Sequence, residues 1–303
     1  MKAITIEING KQKLAALSNN EVIIDLQEAQ SKRGGLYRVP ETMIEAASEG
    51  TLFWDEITKI VNWSLENQVK DCLLSTNSAN VTLKAPIPRP TKNIICAGKN
   101  YADHAAEMGS TADIPQHPII FTKSPTTVIG PDEAINPHLN VTKELDYEGE
   151  IAVIVGKQGT GIKKEDVQDH IFGYTLLNDV TARDLQTQHK QFFLGKSLDT
   201  FCPMGPSVVS ADALKEKDIS LSTYVNGELR QKTTTEDMIF SIASLMEVIS
   251  RGMTLEPGDI IATGTPAGVG KGFNPPRYLE PGDEILIQAQ GLGKLRNEVL
   301  KHN

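Results

Sequence analysis

The chain of 303 residues is poor in cysteine, short of positive charge and without a long apolar run. Its three cysteines, Cys72, Cys96 and Cys202, are odd in number, scattered and without metal-type spacing. That excludes a disulfide scaffold and fits reduced thiols of a cytosolic protein. Lys and Arg number 30 against 39 Asp and Glu, a formal net charge of -9. So acidic a chain does not offer the basic face that nucleic acid requires. An anionic substrate stays open, because it answers to local charge rather than to the total. No apolar stretch reaches the roughly 18 residues of a membrane span, and the N-terminus lacks the charged-then-apolar pattern of a signal peptide. The expectation is a soluble, cytoplasmic protein with neither nucleic-acid nor membrane partners. The regular strand–helix alternation of a parallel sheet is missing too.

What is present points to two units, as the length allows at about 100–200 residues per domain. Residues 1–88 read as a small α/β domain. Ala3 to Ile8 alternates, Asn9-Gly10 follows as a hairpin turn, and 21–26 is a second strand. Apolar positions from Met43 to Val61 then recur at helical spacing in two pieces broken at Gly50. Pro86, Pro88 and Pro90 fix an extended connector. Residues 89–303 are strand-rich, with strands over 94–98, 118–122, 151–155 and 172–177. One helix is expected over 236–251, with Ile239, Ile242, Leu245, Met246 and Ile249 as its apolar stripe and Thr233 or Thr235 as its cap. Leu-Glu-Pro-Gly-Asp occurs at 255–259 and at 279–283, each a turn feeding a strand. The fold class is α+β, with a mostly-β, largely antiparallel second domain.

The residues with chemical potential begin at Asp146-Tyr147-Glu148-Gly149-Glu150, at the mouth of the β-branched run Ile151 to Val155. In a strand, positions i and i+2 share a face, so Glu148 and Glu150 aim at one point. Like charges that close need a cation between them, for which Mg²⁺ or Mn²⁺ is the natural candidate, or else bulk water around them. Asp179, at the end of the strand ending Leu176-Leu177-Asn178, is a third carboxylate or a turn residue; Asp146 is a supporting group or plain surface. His104 and Glu107, three apart, form either an acid/base pair or an exposed ion pair on a short helix. Lys123 and Lys196 follow apolar residues and could balance developing negative charge, or snorkel to solvent. Gly195-Lys196-Ser197 lacks the earlier glycine of a P-loop, since Lys190 stands there. The glycine-rich loop 264–272 lets backbone amides approach an anion but has no following helix signal, so it is not a dinucleotide fingerprint.

Taken in order, these pieces resemble one family. Asn93-Ile94-Ile95-Cys96-Ala97-Gly98-Lys99-Asn100-Tyr101-x-x-His104 is followed by Phe121-x-Lys123 and by Asp146-Tyr147-Glu148-Gly149-Glu150. Then come Asn178-Asp179-x-x-x-Arg183-Asp184-x-Gln186, Gly195-Lys196-Ser197-x-Asp199 and Gly258-Asp259-Ile260-Ile261-x-Thr263-Gly264-Thr265-Pro266-x-Gly268. From residue 92 onward this pattern resembles the fumarylacetoacetate hydrolase family. The stretch 192–206 resembles its bacterial branch with oxaloacetate decarboxylases and acylpyruvate hydrolases, and the first 88 residues loosely resemble that branch's appended domain. The resemblance implies that Glu148, Glu150 and Asp179 hold Mg²⁺ or Mn²⁺. It implies that His104 and Glu107 form an acid/base dyad on a lid helix, within a mobile segment 101–117, and that Lys196 supports catalysis. Substrate contacts fall to Gly98, Tyr101, Lys123, Gln186 and Thr265, with Arg183 structural, and the assembly is a homodimer. The implied activity is C–C cleavage of a small anionic 2-oxo acid, with oxaloacetate decarboxylation first. Acylpyruvate hydrolysis, isomerisation of 2-hydroxyhepta-2,4-diene-1,7-dioate, and a non-catalytic binding protein on an inherited enzyme fold are the alternatives.

Overall fold

Lys2–Ile8 pairs with Lys11–Leu17 across Asn9-Gly10, whose φ values of 51° and 75° are those a tight two-residue turn needs. The computed structural model describes residues 1–18, 22–75, 80–110, 112, 114–214 and 219–301. The hairpin starts a 12-stranded sheet. Its main path runs Leu73–Ser75, Val22–Asp25, Lys11–Leu17, Lys2–Ile8, Cys202–Ser210, Ile171–Asn178, Gly149–Val155, Ile260–Ala262, Ile94–Gly98 and Ile119–Lys123. Along this path only the contact of Ile260–Ala262 with Ile94–Gly98 is parallel. Strands from both sides of the proline connector therefore share one sheet, through Lys2–Ile8 on Cys202–Ser210. Glu228–Thr234, Ser220–Val225, Glu284–Ala289 and Gly293–Glu298 form a second, antiparallel sheet.

Every residue of Gly149–Val155 is buried. A strand covered on both faces needs no polar alternation, which explains the unbroken apolar run. Ile151, Val153 and Val155 pack into one core with Leu245, Met246 and Ile249 and with Leu221, Ile285 and Ile287 of the second sheet. Ala152 and Ile154 face a second core built on Phe53, Ile57 and Ile60 of the helix Thr51–Glu66. Gly50, at φ 59°, separates that helix from Met43–Glu49, so the expected break holds. Trp54 stacks on Phe172 at 4.8 Å and donates from Nε1 to its carbonyl at 3.0 Å. Both Pro-Gly turns close in the same way: Asp259 Oδ2 and Asp283 Oδ2 each accept from the amide three residues earlier, at 2.8 Å.

The helix expected over 236–251 is shorter, Ile242–Ser250, capped by Ser241. Asp237 folds back onto the Thr234 amide and closes a separate turn. The amides of Ile239 and Phe240 then go to the backbone and side-chain oxygens of Asn100, at 2.9 and 2.8 Å, so they are not free for a helix. The sequence reading also missed Leu26–Arg33, a helix whose first amides bind Asp25.

Phe53 is wholly buried between the helix layer and the sheet. Phe53→Ala is expected to cost roughly 3–5 kcal/mol in urea unfolding; a loss below about 1 kcal/mol would mean that this layer does not support the sheet.

Candidate active site

Antiparallel pairing fixes the centre of the site. Gly149 lies opposite Asn178, and the ladder continues one step further, where the Asp179 amide donates to the Glu148 carbonyl at 2.8 Å. Asn178 Oδ1 accepts from the Glu148 amide at 3.0 Å. Glu148, Glu150 and Asp179 consequently converge: one oxygen of each lies within 4.8 Å of the others, and all three are buried.

Cations surround this cluster. Lys123 Nζ donates to Asp179 Oδ1 at 2.5 Å and to the Val180 carbonyl at 3.0 Å. Lys196 Nζ bridges Glu148 Oε2 and Asp179 Oδ2, both at 2.7 Å. Arg183 spans Glu148 Oε1 at 2.7 Å and Asp146 Oδ2 at 2.8 Å. Burial works against the charge on Glu148, but Lys196 and Arg183 overcome it and hold the carboxyl down at about 2. Glu150 has no ion pair among the described residues and accepts from the Gly264 amide at 2.8 Å. Burial first, then the charges of Asp179 and Glu148, push its carboxyl well above the ordinary value. Three buried carboxylates on strand ends are the hard oxygen donors that a divalent cation takes, so the residues fit Mg²⁺ or Mn²⁺.

The short helix Ala102–Glu107 places His104 Nδ1 3.4 Å from Glu107 Oε2, with His104 buried. His104, Glu148, Lys196 and Thr265 border one cavity of about 390 Å³, with Gly98 and Gln186 on the same wall. The expected mobile segment 101–117 includes 111 and 113, which lie outside the described residues.

Tyr101 and Lys123, expected as substrate contacts, lie off the cavity wall. Tyr101 does not line this cavity; it is buried in a β-bridge with Met238. Lys123 lies beneath the carboxylates, fully buried on Asp179. The sequence missed Lys99, Phe121, Lys190 and Phe192 on the cavity wall. Lys196 Nζ sits 5.1 Å from the Phe121 ring centre, a contact no spacing rule reveals. Arg183, expected as structural, pairs with two carboxylates and also reaches the cavity.

The glycine-rich loop 264–272 does bind anions, and they are the protein's own side chains. Gly264 donates to Glu150, Gly268 to Glu107 at 3.0 and 3.2 Å, and Gly270 and Lys271 to Asp146 at 2.6 and 3.0 Å. Asp146 is therefore fully buried support rather than surface.

The family model described as fumarylacetoacetate (FAA) hydrolase C-terminal matches residues 93–300. Oxaloacetate tautomerase YisK of Bacillus subtilis is 51% identical over 300 residues, 99% of this chain and 100% of the relative. The similarity thus extends through the first 88 residues. Among solved structures, a fumarylacetoacetate hydrolase from Exiguobacterium antarcticum superposes with TM-score 0.82 at 39% identity, covering both chains completely. The 2-hydroxyhepta-2,4-diene-1,7-dioate isomerase of Mycobacterium marinum gives 0.72 at 28%, over 100% of this chain and 99% of its own.

Removing Lys123 would leave Asp179 with one fewer cation in a dry setting. Lys123→Met is expected to cost roughly 3–5 kcal/mol in chemical denaturation. A cost under about 1 kcal/mol would show that Asp179 does not depend on it.

Proposed function

Because the chain belongs to the fumarylacetoacetate hydrolase family, a family of small-molecule enzymes, we propose that it acts on oxaloacetate by moving a proton between C3 and the C2 oxygen. The observation that carries this reading is that His104, paired with Glu107 behind it, and Glu148 of the carboxylate cluster border a single cavity. The full-length relative named as an oxaloacetate tautomerase supports the choice of substrate and reaction.

The charge on the wall suits a dianion. Arg183 and Lys196 are committed to carboxylates, whereas Lys99 and Lys190 have no ion pair among the described residues. A second carboxylate on the substrate would answer those two ammonium groups. Glu107 faces His104 Nδ1 and favours the tautomer protonated there, which leaves Nε2 to take a proton. In the forward direction Nε2 accepts the C3 proton. The C–H pair becomes the C2–C3 double bond, the C2 oxygen gains the charge, and His104 Nε2 returns its proton to that oxygen. Lys196 lines the cavity and can donate to that oxygen as its charge grows. A divalent cation on Glu148, Glu150 and Asp179 would supply Lewis-acid polarisation of the C2 carbonyl.

Decarboxylation, the reaction that the sequence resemblance puts first, uses the same electron sink. The C3–C4 bond breaks, carbon dioxide leaves, and the electron pair flows to the same oxygen before C3 is protonated. The tautomerase relative moves the weight to proton transfer.

The enol of oxaloacetate absorbs in the ultraviolet, so its conversion can be followed directly alongside pyruvate release. With Mg²⁺ or Mn²⁺ supplied, the wild-type chain is expected to accelerate enol–keto exchange, and His104→Ala to lower the rate on the order of a hundredfold or more. No acceleration of exchange by the wild-type chain, or a His104→Ala rate within a factor of about two, would overturn the proposal. Pyruvate release outpacing exchange would favour decarboxylation instead.

A further inference from the structure

Glu107 is held by residues other than His104, and they are not those that border the cavity. Its two carboxylate oxygens share the Gly268 amide. Its carboxyl end rests on Gly272, where a methyl group would fall 2.0 Å from Oε1 and 2.1 Å from Cδ. Gly268 has φ 102°, and a side chain there would meet the Arg230 carbonyl at 1.9 Å, so only glycine turns its amide toward Glu107. The other end of the residue is fixed by Tyr147, whose hydroxyl donates to the Gly268 carbonyl at 2.7 Å. Tyr147 is wholly buried, and Asp146 beside it binds the loop again at Gly270 and Lys271.

We propose that Tyr147 is a positioning residue: through the Gly268 carbonyl it aims the amide that orients Glu107 at His104. The inference rests on the reading of His104 and Glu107 as an acid/base pair. It makes the two residues between Asp146 and Gly149 serve both halves of the site. Glu148 points at the carboxylate cluster, and its neighbour Tyr147 sets the dyad.

A mutant cycle tests it. Tyr147→Phe keeps the ring and removes one hydroxyl. It is expected to lower kcat on the order of tenfold, since small misplacements of reacting groups are costly, with KM and Mn²⁺ affinity within about twofold of the wild type. In a Glu107→Gln background the same substitution is expected to add little to the loss, because the group it positions is already gone. Gly272→Ala crowds the Glu107 carboxyl directly. It is expected to lower kcat in the wild-type chain and to have little effect on the residual rate of Glu107→Ala, where the clash is absent. Equal fold-losses from Tyr147→Phe with and without Glu107, or no loss at all, would overturn the positioning role. Wild-type kcat in Glu107→Gln would instead overturn the acid/base reading itself, so the two failures are distinguishable.

Discussion

The structure depends on crowding negative charge where water cannot reach it. Glu148, Glu150 and Asp179 bring oxygens within 4.8 Å of one another, and Asp146 is buried nearby. Unpaired carboxylates so placed would cost several kcal/mol each. Lys123, Lys196 and Arg183 offset this with contacts of 2.5–2.8 Å. The compensation is uneven. Arg183 and Lys196 hold Glu148 ionised, while Glu150, away from any ion pair among the described residues, is pushed toward its neutral form. Neighbouring carboxyls in unlike environments are the usual mark of a site built for chemistry.

The loop 264–272 joins this cluster to the His104–Glu107 pair. Four of its amides are spent on carboxylates of the chain, one on the cluster, one on the dyad and two on Asp146. Such a loop fixes both groups relative to the sheet end that carries them. It also reconciles the net charge of -9 with the anionic substrate proposed above. Its buried acids are already answered by cations and amides, leaving Lys99 and Lys190 to face the cavity.

Much of this was legible in the sequence. The spacing of Glu148 and Glu150 and the strand before Asp179 pointed to convergence, and antiparallel register is the step that made it real. The mostly-β architecture followed from the missing strand–helix alternation, and the break at Gly50 from its lone glycine. Residues whose roles depend on long-range packing were not legible. The contact of Lys123 with Asp179, 56 residues away, comes from the placement of the strand Ile119–Lys123. The bridge of Tyr101 to Met238 is likewise a long-range pairing. The helix before residue 242 failed because Asn100, 140 residues away, takes the amide of Phe240. The glycine loop announced anion binding, but the anions turned out to be intramolecular.

The central claim is that these three acids form one cation site. Anomalous diffraction from crystals soaked in Mn²⁺ tests it most directly. The account predicts a single strong peak within coordination distance of Glu148, Glu150 and Asp179, lost in Asp179→Asn crystals. A map with no peak there, or with manganese bound only elsewhere on the protein, would contradict it.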